Sequence, residues 1–149
     1  MMRILMLLAL AGAVISPAAV NVIEQDTLKR YLENGSPFDF ILIDVRSAEE
    51  ASAGIGDVHC KPYNLAWPEQ LKKECERIPK DRTIIAYCQS GSRSTRAAAY
   101  LDSLGFTNVY NAGGFLTWTG PTVPRSEFKP ASLLPEPSMK AKPDQKTSR

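Results

Sequence analysis

Cys88 ends a short apolar run, Thr83-Ile84-Ile85-Ala86-Tyr87, and is followed by Gln89-Ser90-Gly91-Ser92-Arg93-Ser94 and then by an Ala-rich helical pattern. A chain that leaves a strand and enters a helix within a few residues wraps its backbone around that cysteine. The orphan N–H groups of the first helical turn then point at the sulfur. Cysteines in such places, or beside arginine, ionise between about 3.5 and 7.5 rather than near 8.5. Arg93 and Arg96 follow closely, and Gly91 permits a positive φ or a close backbone approach. The chemistry on offer is that of a nucleophilic thiolate. The competing reading is a small hydrophobe at the end of a core strand, because free cysteine is among the most buried residue types. A core cysteine alone does not need Gly91, Ser90, Ser92, Ser94 and an arginine directly after it.

The other reactive residue types are sparse. Cys60, Cys75 and Cys88 make an odd set, which leaves at least one thiol unpaired in the monomer. Cys60 and Cys75 either bridge each other or stand alone, and spacing does not decide between these. His59, the sole histidine, adjoins Cys60 without any CxxC or HxxxH spacing, so no metal site is expected. His59 reads as a loop residue rather than a catalytic base.

The elements that must position Cys88 follow from periodicity. A short strand is expected at Asn21–Ile23. Gln25–Asn34 reads as a helix with Leu28, Tyr31 and Leu32 on one face and Gly35 stopping it. Phe38–Val45 is apolar enough for a strand buried on both faces, and Asp44-Val45-Arg46 ends it. A short helix over Ala48–Ala53, a short strand at Tyr63–Leu65 and a helix over Glu69–Arg77 are expected next. The strand Thr83–Tyr87 leads through the cysteine loop into a helix over Arg93–Leu104, which Ser92 or Ser94 would cap and Gly105 would end. A last strand at Asn108–Tyr110 precedes Gly113-Gly114, whose lack of Cβ allows a tight approach, and Trp118, which covers apolar surface. Strands alternating with helices give an α/β class with a mostly parallel central sheet flanked by helices. In such sheets ligands collect beyond the carboxyl ends of the strands, which would bring Arg46 near Cys88.

The chain has 149 residues and a formal net charge of +2. Met1–Arg3, the apolar run Ile4–Val14 and the small residues Ser16-Pro17-Ala18-Ala19 read as a cleavable signal over 1–19. The apolar run is shorter than the roughly 20 residues of a spanning helix. The expected location is therefore periplasmic or secreted, with no stable membrane anchor. Residues 20–120 form the expected domain. Residues 121–149, with Pro121, Pro124, Pro130, Pro135, Pro137 and Pro143 among Ser, Lys and Glu, read as a disordered Pro-rich tail. No charge patch, repeat or P-loop points to nucleic acid or nucleotide binding.

These landmarks in this order resemble the rhodanese family of sulfurtransferases, in particular its small single-domain exported members. The resemblance runs from about Val20 to Trp118. It is carried by Ile43-Asp44-Val45-Arg46 with Glu50 following, Asn64-Leu65, the CxxGxRS pattern of Cys88–Ser94, and Gly113-Gly114 with Trp118. It implies a rhodanese-like fold and a persulfide mechanism without a cofactor. Cys88 would take a sulfane sulfur from a donor such as thiosulfate and pass it to a thiophilic acceptor, cyanide or a thiol, including a protein thiol. The loop Gln89, Ser90, Gly91, Ser92, Arg93 and Ser94 would stabilise the anionic sulfur and leaving group. Arg93 and Arg46 are candidates for holding the donor's oxyanion or for supporting the loop. Asp44 is expected to tie down an arginine, and Arg46 is left between substrate contact and a fixed salt bridge. The chain is expected to act as a monomer.

The sequence departs from the family between Gly54 and Leu65, where the expected histidine is displaced or absent and Cys60 is unusual. It also lacks the extra positive charge that follows the cysteine in thiosulfate-specialised members, which makes thiosulfate a poor or surrogate donor. Phosphatases of the same fold have five residues between cysteine and arginine; Cys88 and Arg93 are separated by four. The remaining alternative is a non-turnover sulfur carrier or protein-binding module.

Overall fold

The computed structural model describes residues 20–135. The stretch 1–19, expected to be a signal, and the end of the expected tail, 136–149, lie outside the described residues.

Five strands form the central sheet: β1 (Asn21–Val22), β2 (Phe40–Asp44), β4 (Tyr63–Asn64), β5 (Thr83–Cys88) and β6 (Asn108–Gly114). Their order is β1-β6-β5-β2-β4, and every neighbouring pair is parallel. Parallel strands need crossovers, supplied here by α1 (Gln25–Asn34), α2 (Glu69–Glu74, continued as a 3-10 turn over Cys75–Arg77) and α3 (Ser92–Ser103). β5 lies at the centre because its burial is nearly complete on both faces.

Alternation along the strands sorts the core into two layers. Ile41, Ile43, Ile84, Ala86 and Cys88 face one side, where Ala97, Ala98 and Leu101 of α3 and Leu71 and Cys75 cover them. Leu42, Ile85 and Tyr87 face the other, against Leu28 and Leu32 of α1 and Ile55. The α/β class is as expected.

Two expectations give way. Ala48–Ala53 is not a helix. Ser47 and Glu50 bond reciprocally, Ser47 N–H to Glu50 Oε2 (3.0 Å) and Glu50 N–H to Ser47 Oγ (3.4 Å), which closes one turn. The chain then straightens into β3 (Ala53–Ile55), which pairs antiparallel with β7 (Thr122–Pro124). That same pairing corrects the tail. Residues up to Leu134 are folded against the domain: Val123 and Leu134 are buried, and 3-10 turns occupy Arg125–Glu127 and Ala131–Leu133. The prolines stop helices without preventing an extended strap that buries single apolar side chains.

Candidate active site

The carboxyl ends of β5, β2 and β6 carry the site. β5 ends at Cys88, and the chain turns through Gln89, Ser90 and Gly91 into α3. Gly91 is the N-cap, in the left-handed region at φ 98°, so neither Ser92 nor Ser94 takes that place. Its positive φ turns the loop back so that two N–H donors and a hydroxyl meet the sulfur. Gly91 N–H lies 3.0 Å from Cys88 Sγ, Ser94 N–H 3.4 Å, and Ser94 Oγ 3.5 Å. The outer wall of the loop is β6, whose register with β5 shifts between Ala86 and Cys88 and sets Cys88 beside Gly114. A Cβ on Gly114 would run into the Gln89 carbonyl and Ser90, so the two glycine-bearing segments can meet only as they are. Leu116 N–H to Gln89 O (3.1 Å) closes this seam.

Cys88 is fully buried, as the core-strand reading expected, but its surroundings are polar on one side. Burial is the largest influence on its ionisation and opposes the thiolate. The Ser94 hydroxyl and the N–H groups of Ser94, Gly91 and Ser90 together outweigh it, and the thiol titrates below its ordinary value. The other two thiols behave in the opposite way. Burial pushes Cys60 up to about 11 and raises Cys75 as well. All three cysteines are free. Cys75 packs in the layer under α3 and Cys60 against the opposite layer, so the sheet separates them and the Cys60–Cys75 bridge does not form.

Arg46 reaches the loop from the turn after β2 and Arg93 stands in the first turn of α3, but neither is arranged as a free anion holder. Arg46 is buried, with Nε 3.0 and 3.1 Å and Nη2 2.6 Å from the Asp44 carboxylate. Nη2 also donates to Ala53 O (2.6 Å) and Nη1 to Gln89 Oε1 (3.3 Å), while the guanidinium lies 4.4 Å from the centre of the Phe115 ring. Of the two roles left open for Arg46, the structure has the fixed salt bridge; substrate contact is corrected, because every face of the group is covered. Arg93 is half-buried and forms a bidentate pair with Glu50, Nη1 to Oε2 at 2.6 Å and Nη2 to Oε1 at 2.7 Å. The hydrogen bond from Arg93 holds the Glu50 carboxyl at about 2. The two arginines therefore tie the 44–53 segment to the Cys88 loop. Ser90 and Ser92 are exposed at its rim. Ser90, with Gln25, Gly113, Gly114 and Thr117, lines a neighbouring cleft of about 440 Å³.

His59 is exposed, and with Cys60 it lines a different cavity beside Phe40 and Arg82, at the amino ends of β2 and β5. It is at the wrong end of the sheet to serve Cys88. Among the described residues no group of His, Cys, Asp and Glu could hold a metal ion. The sequence reading gave no part to Gln25, whose amide donates to the carbonyls of Ala112 (3.0 Å) and Gly114 (2.9 Å). It also passed over Asn111, which accepts from Gly113 N–H (2.9 Å). Gln25 braces the β6 wall from far away in the sequence and Asn111 from within β6 itself, and no local signal marks either.

Comparison with known proteins gives a family and several relatives. The profile of the family described as Rhodanese-like domain matches residues 24–120. A sulfurtransferase of Allochromatium vinosum is 36% identical over 101 residues, 66% of this chain and 88% of that protein. The uncharacterized protein YqhL of Bacillus subtilis is 32% identical over 124 residues, 80% of this chain and 95% of that protein. The crystal structure of the Alr3790 protein from Anabaena sp. superposes with a TM-score of 0.58 at 26% identity, covering 68% of this chain and 91% of that one.

Proposed function

The chain belongs to the rhodanese-like domain family, and from that premise we propose that it transfers sulfane sulfur through a persulfide on Cys88. The Cys88 thiolate attacks the outer sulfur of a donor such as thiosulfate. An S–S bond forms to Cys88, the S–S bond to the sulfonate breaks, and its electron pair leaves with sulfite. A thiophilic acceptor, cyanide or a thiol, then attacks the outer sulfur and returns the electron pair to Cys88. No cofactor enters either step.

The observation that carries this reading is the ring of Gly91 N–H, Ser94 N–H and Ser94 hydroxyl around a thiol whose ionisation they favour. The first turn of α3 presents N–H groups without intrahelical acceptors, and these suit the charge on a persulfide or on departing sulfite. Arg93 is already paired with Glu50 and Arg46 with Asp44, so the loop amides carry most of the anion recognition. That arrangement favours a small, polarizable sulfur over a tetrahedral dianion and fits thiosulfate as a surrogate donor. A periplasmic or secreted location with a protein thiol as acceptor and a monomeric state complete the reading.

The test is intact-mass analysis after incubation with thiosulfate. The chain should gain one sulfur atom and Cys88→Ser none, and cyanide should remove that sulfur as thiocyanate. Uptake by Cys88→Ser would place the acceptor at Cys60 or Cys75 and sink the proposal. Uptake without release to cyanide or thiols would make the protein a carrier rather than a catalyst.

A further inference from the structure

The family match ends at residue 120, yet the folded chain continues and returns to the segment that grips the Cys88 loop. β7 pairs with β3, Ala53 opposite Pro124 and Ile55 opposite Thr122. Arg125 N–H donates to Ser52 O (2.9 Å), and its Nη1 donates to Asn64 Oδ1 (3.0 Å) and Ala51 O (3.4 Å). The Asn64 amide in turn donates to the carbonyls of Asp44 (3.0 Å) and Arg46 (2.8 Å). Phe128 lies over Gly54, where a single added methyl would collide with its ring and with the Tyr87 hydroxyl. Further on, Tyr63 hydroxyl donates to Leu133 O (2.9 Å) and Leu134 is buried under the sheet.

Residues 44–53 are therefore held from two sides. Toward the catalytic loop they offer Arg46 to Gln89 and Glu50 to Arg93. Away from it, their carbonyls at Asp44, Arg46, Ala51 and Ser52 are fixed by Arg125 and Asn64. A segment with so little regular structure of its own gains its rigidity from these outer contacts. The loop amides are only as well aimed at Cys88 as the segment that anchors them.

We infer that the strap Thr122–Leu134, acting through Arg125, is a positioning element that keeps the 44–53 segment, and with it the donor ring of Cys88, in the geometry that favours the thiolate. The inference rests on Cys88 being the reacting thiol. Arg125 touches no substrate; it acts through Asn64 and the Ala51 carbonyl.

The test uses the full chain and the thiolate absorbance near 240 nm as pH is varied, taken as the difference from Cys88→Ser in the same background. Sulfur loading and thermal unfolding are read on the same samples. Arg125→Ala should raise the Cys88 midpoint so that the thiolate fraction below it falls about threefold, half a pH unit, with slower sulfur loading. Arg125→Lys, which keeps a donor for Asn64, should recover most of the loss. Leu134→Val, at the far end of the strap, should lower the unfolding temperature and leave the midpoint where it was. If Arg125→Ala does not fold, Arg125→Met, which keeps the stem and has no donor, carries the same expectation. An unchanged midpoint in Arg125→Ala overturns the inference, and so does a shift of equal size in Leu134→Val, which would make the strap a general stabiliser. Sulfur uptake by Cys88→Ser would instead remove the thiol assignment and leave the titration result standing.

Discussion

The Ser94 hydroxyl sits 3.5 Å from Cys88 Sγ while also lying 3.0 Å from the Gly91 carbonyl and 3.3 Å from the Gly113 carbonyl. One proton cannot serve all three. With a neutral thiol, the hydroxyl can donate to a carbonyl and accept from the sulfur; with a thiolate, it turns its proton to the sulfur. Ser94 thus couples the charge on Cys88 to the closure of the loop against β6.

Replacing Ser94 by alanine should raise the Cys88 midpoint by about one pH unit, the scale of a hydrogen bond to a charged group. The sign for stability follows. A depressed thiol favours the folded state above the unfolded value of about 8.5, and that contribution is lost as pH falls through the folded midpoint. The thiolate-dependent part of the Ser94→Ala penalty should therefore appear in alkaline denaturation curves and vanish in acidic ones.

Gly91 and Gly114 test the loop's backbone separately from its side chains. Gly91→Ala places a Cβ at φ 98° and should cost about 1–2 kcal/mol by urea unfolding. Gly114→Ala meets the Gln89 carbonyl, so the loop must move. It should slow sulfur loading more than Gly91→Ala does, and equal or faster loading would contradict the close-approach account.

Arg46 and Asp44 form a buried pair with 1% and 0% side-chain exposure. Arg46→Met leaves a buried carboxylate unmatched and should destabilise the fold by about 3–5 kcal/mol, whereas Arg46→Met with Asp44→Leu should recover a large part of that loss. A double variant no better than the single one would show that the pair's other contacts, to Ala53 and Gln89, matter more than charge neutralisation.

Glu50 is held at about 2 by Arg93, with Ser47 adding to the effect. A depressed carboxyl contributes to stability above its unfolded value of about 4.3, and the contribution disappears as pH falls through about 2. Carbon-13 NMR of the Glu50 carboxyl should give a midpoint near the lower value, moving most of the way back in Arg93→Ala. A normal midpoint in the unmodified protein would mean that Arg93 is free for donor binding.

The legible parts of the sequence were those whose information is local. Thr83–Cys88 followed by a Gly-containing loop and an Ala-rich helix announced the strand, the turn and the thiol within a few residues, and α1 and α3 showed their apolar stripes. The fate of Arg46 was not local. It depends on Asp44 beneath it, Ala53 after a turn, and Gln89 and Phe115 from the segments that follow β5 and β6, so exposure and burial looked equal in the sequence. The 48–53 segment carried helix-forming residues and a Ser47–Glu50 capping pair, but β7, arriving from a far later part of the chain, recruited Ala53–Ile55 as a strand. The strap escaped notice because Val123, Phe128 and the Leu133-Leu134 pair are scattered among prolines, without a period of either 2 or 3.6.

The central claim is that loop donors, rather than solvent exposure, ionise Cys88, and the most direct measurement is its own titration. The 240 nm absorbance of the full chain, minus that of Cys88→Ser, should rise with a midpoint below the ordinary thiol value of about 8.5. The thiols retained in Cys88→Ser should titrate above it, Cys60 near 11. A Cys88 midpoint at or above the ordinary value would mean that burial wins over Gly91, Ser90 and Ser94, and that the thiol is a core residue rather than a sulfur carrier.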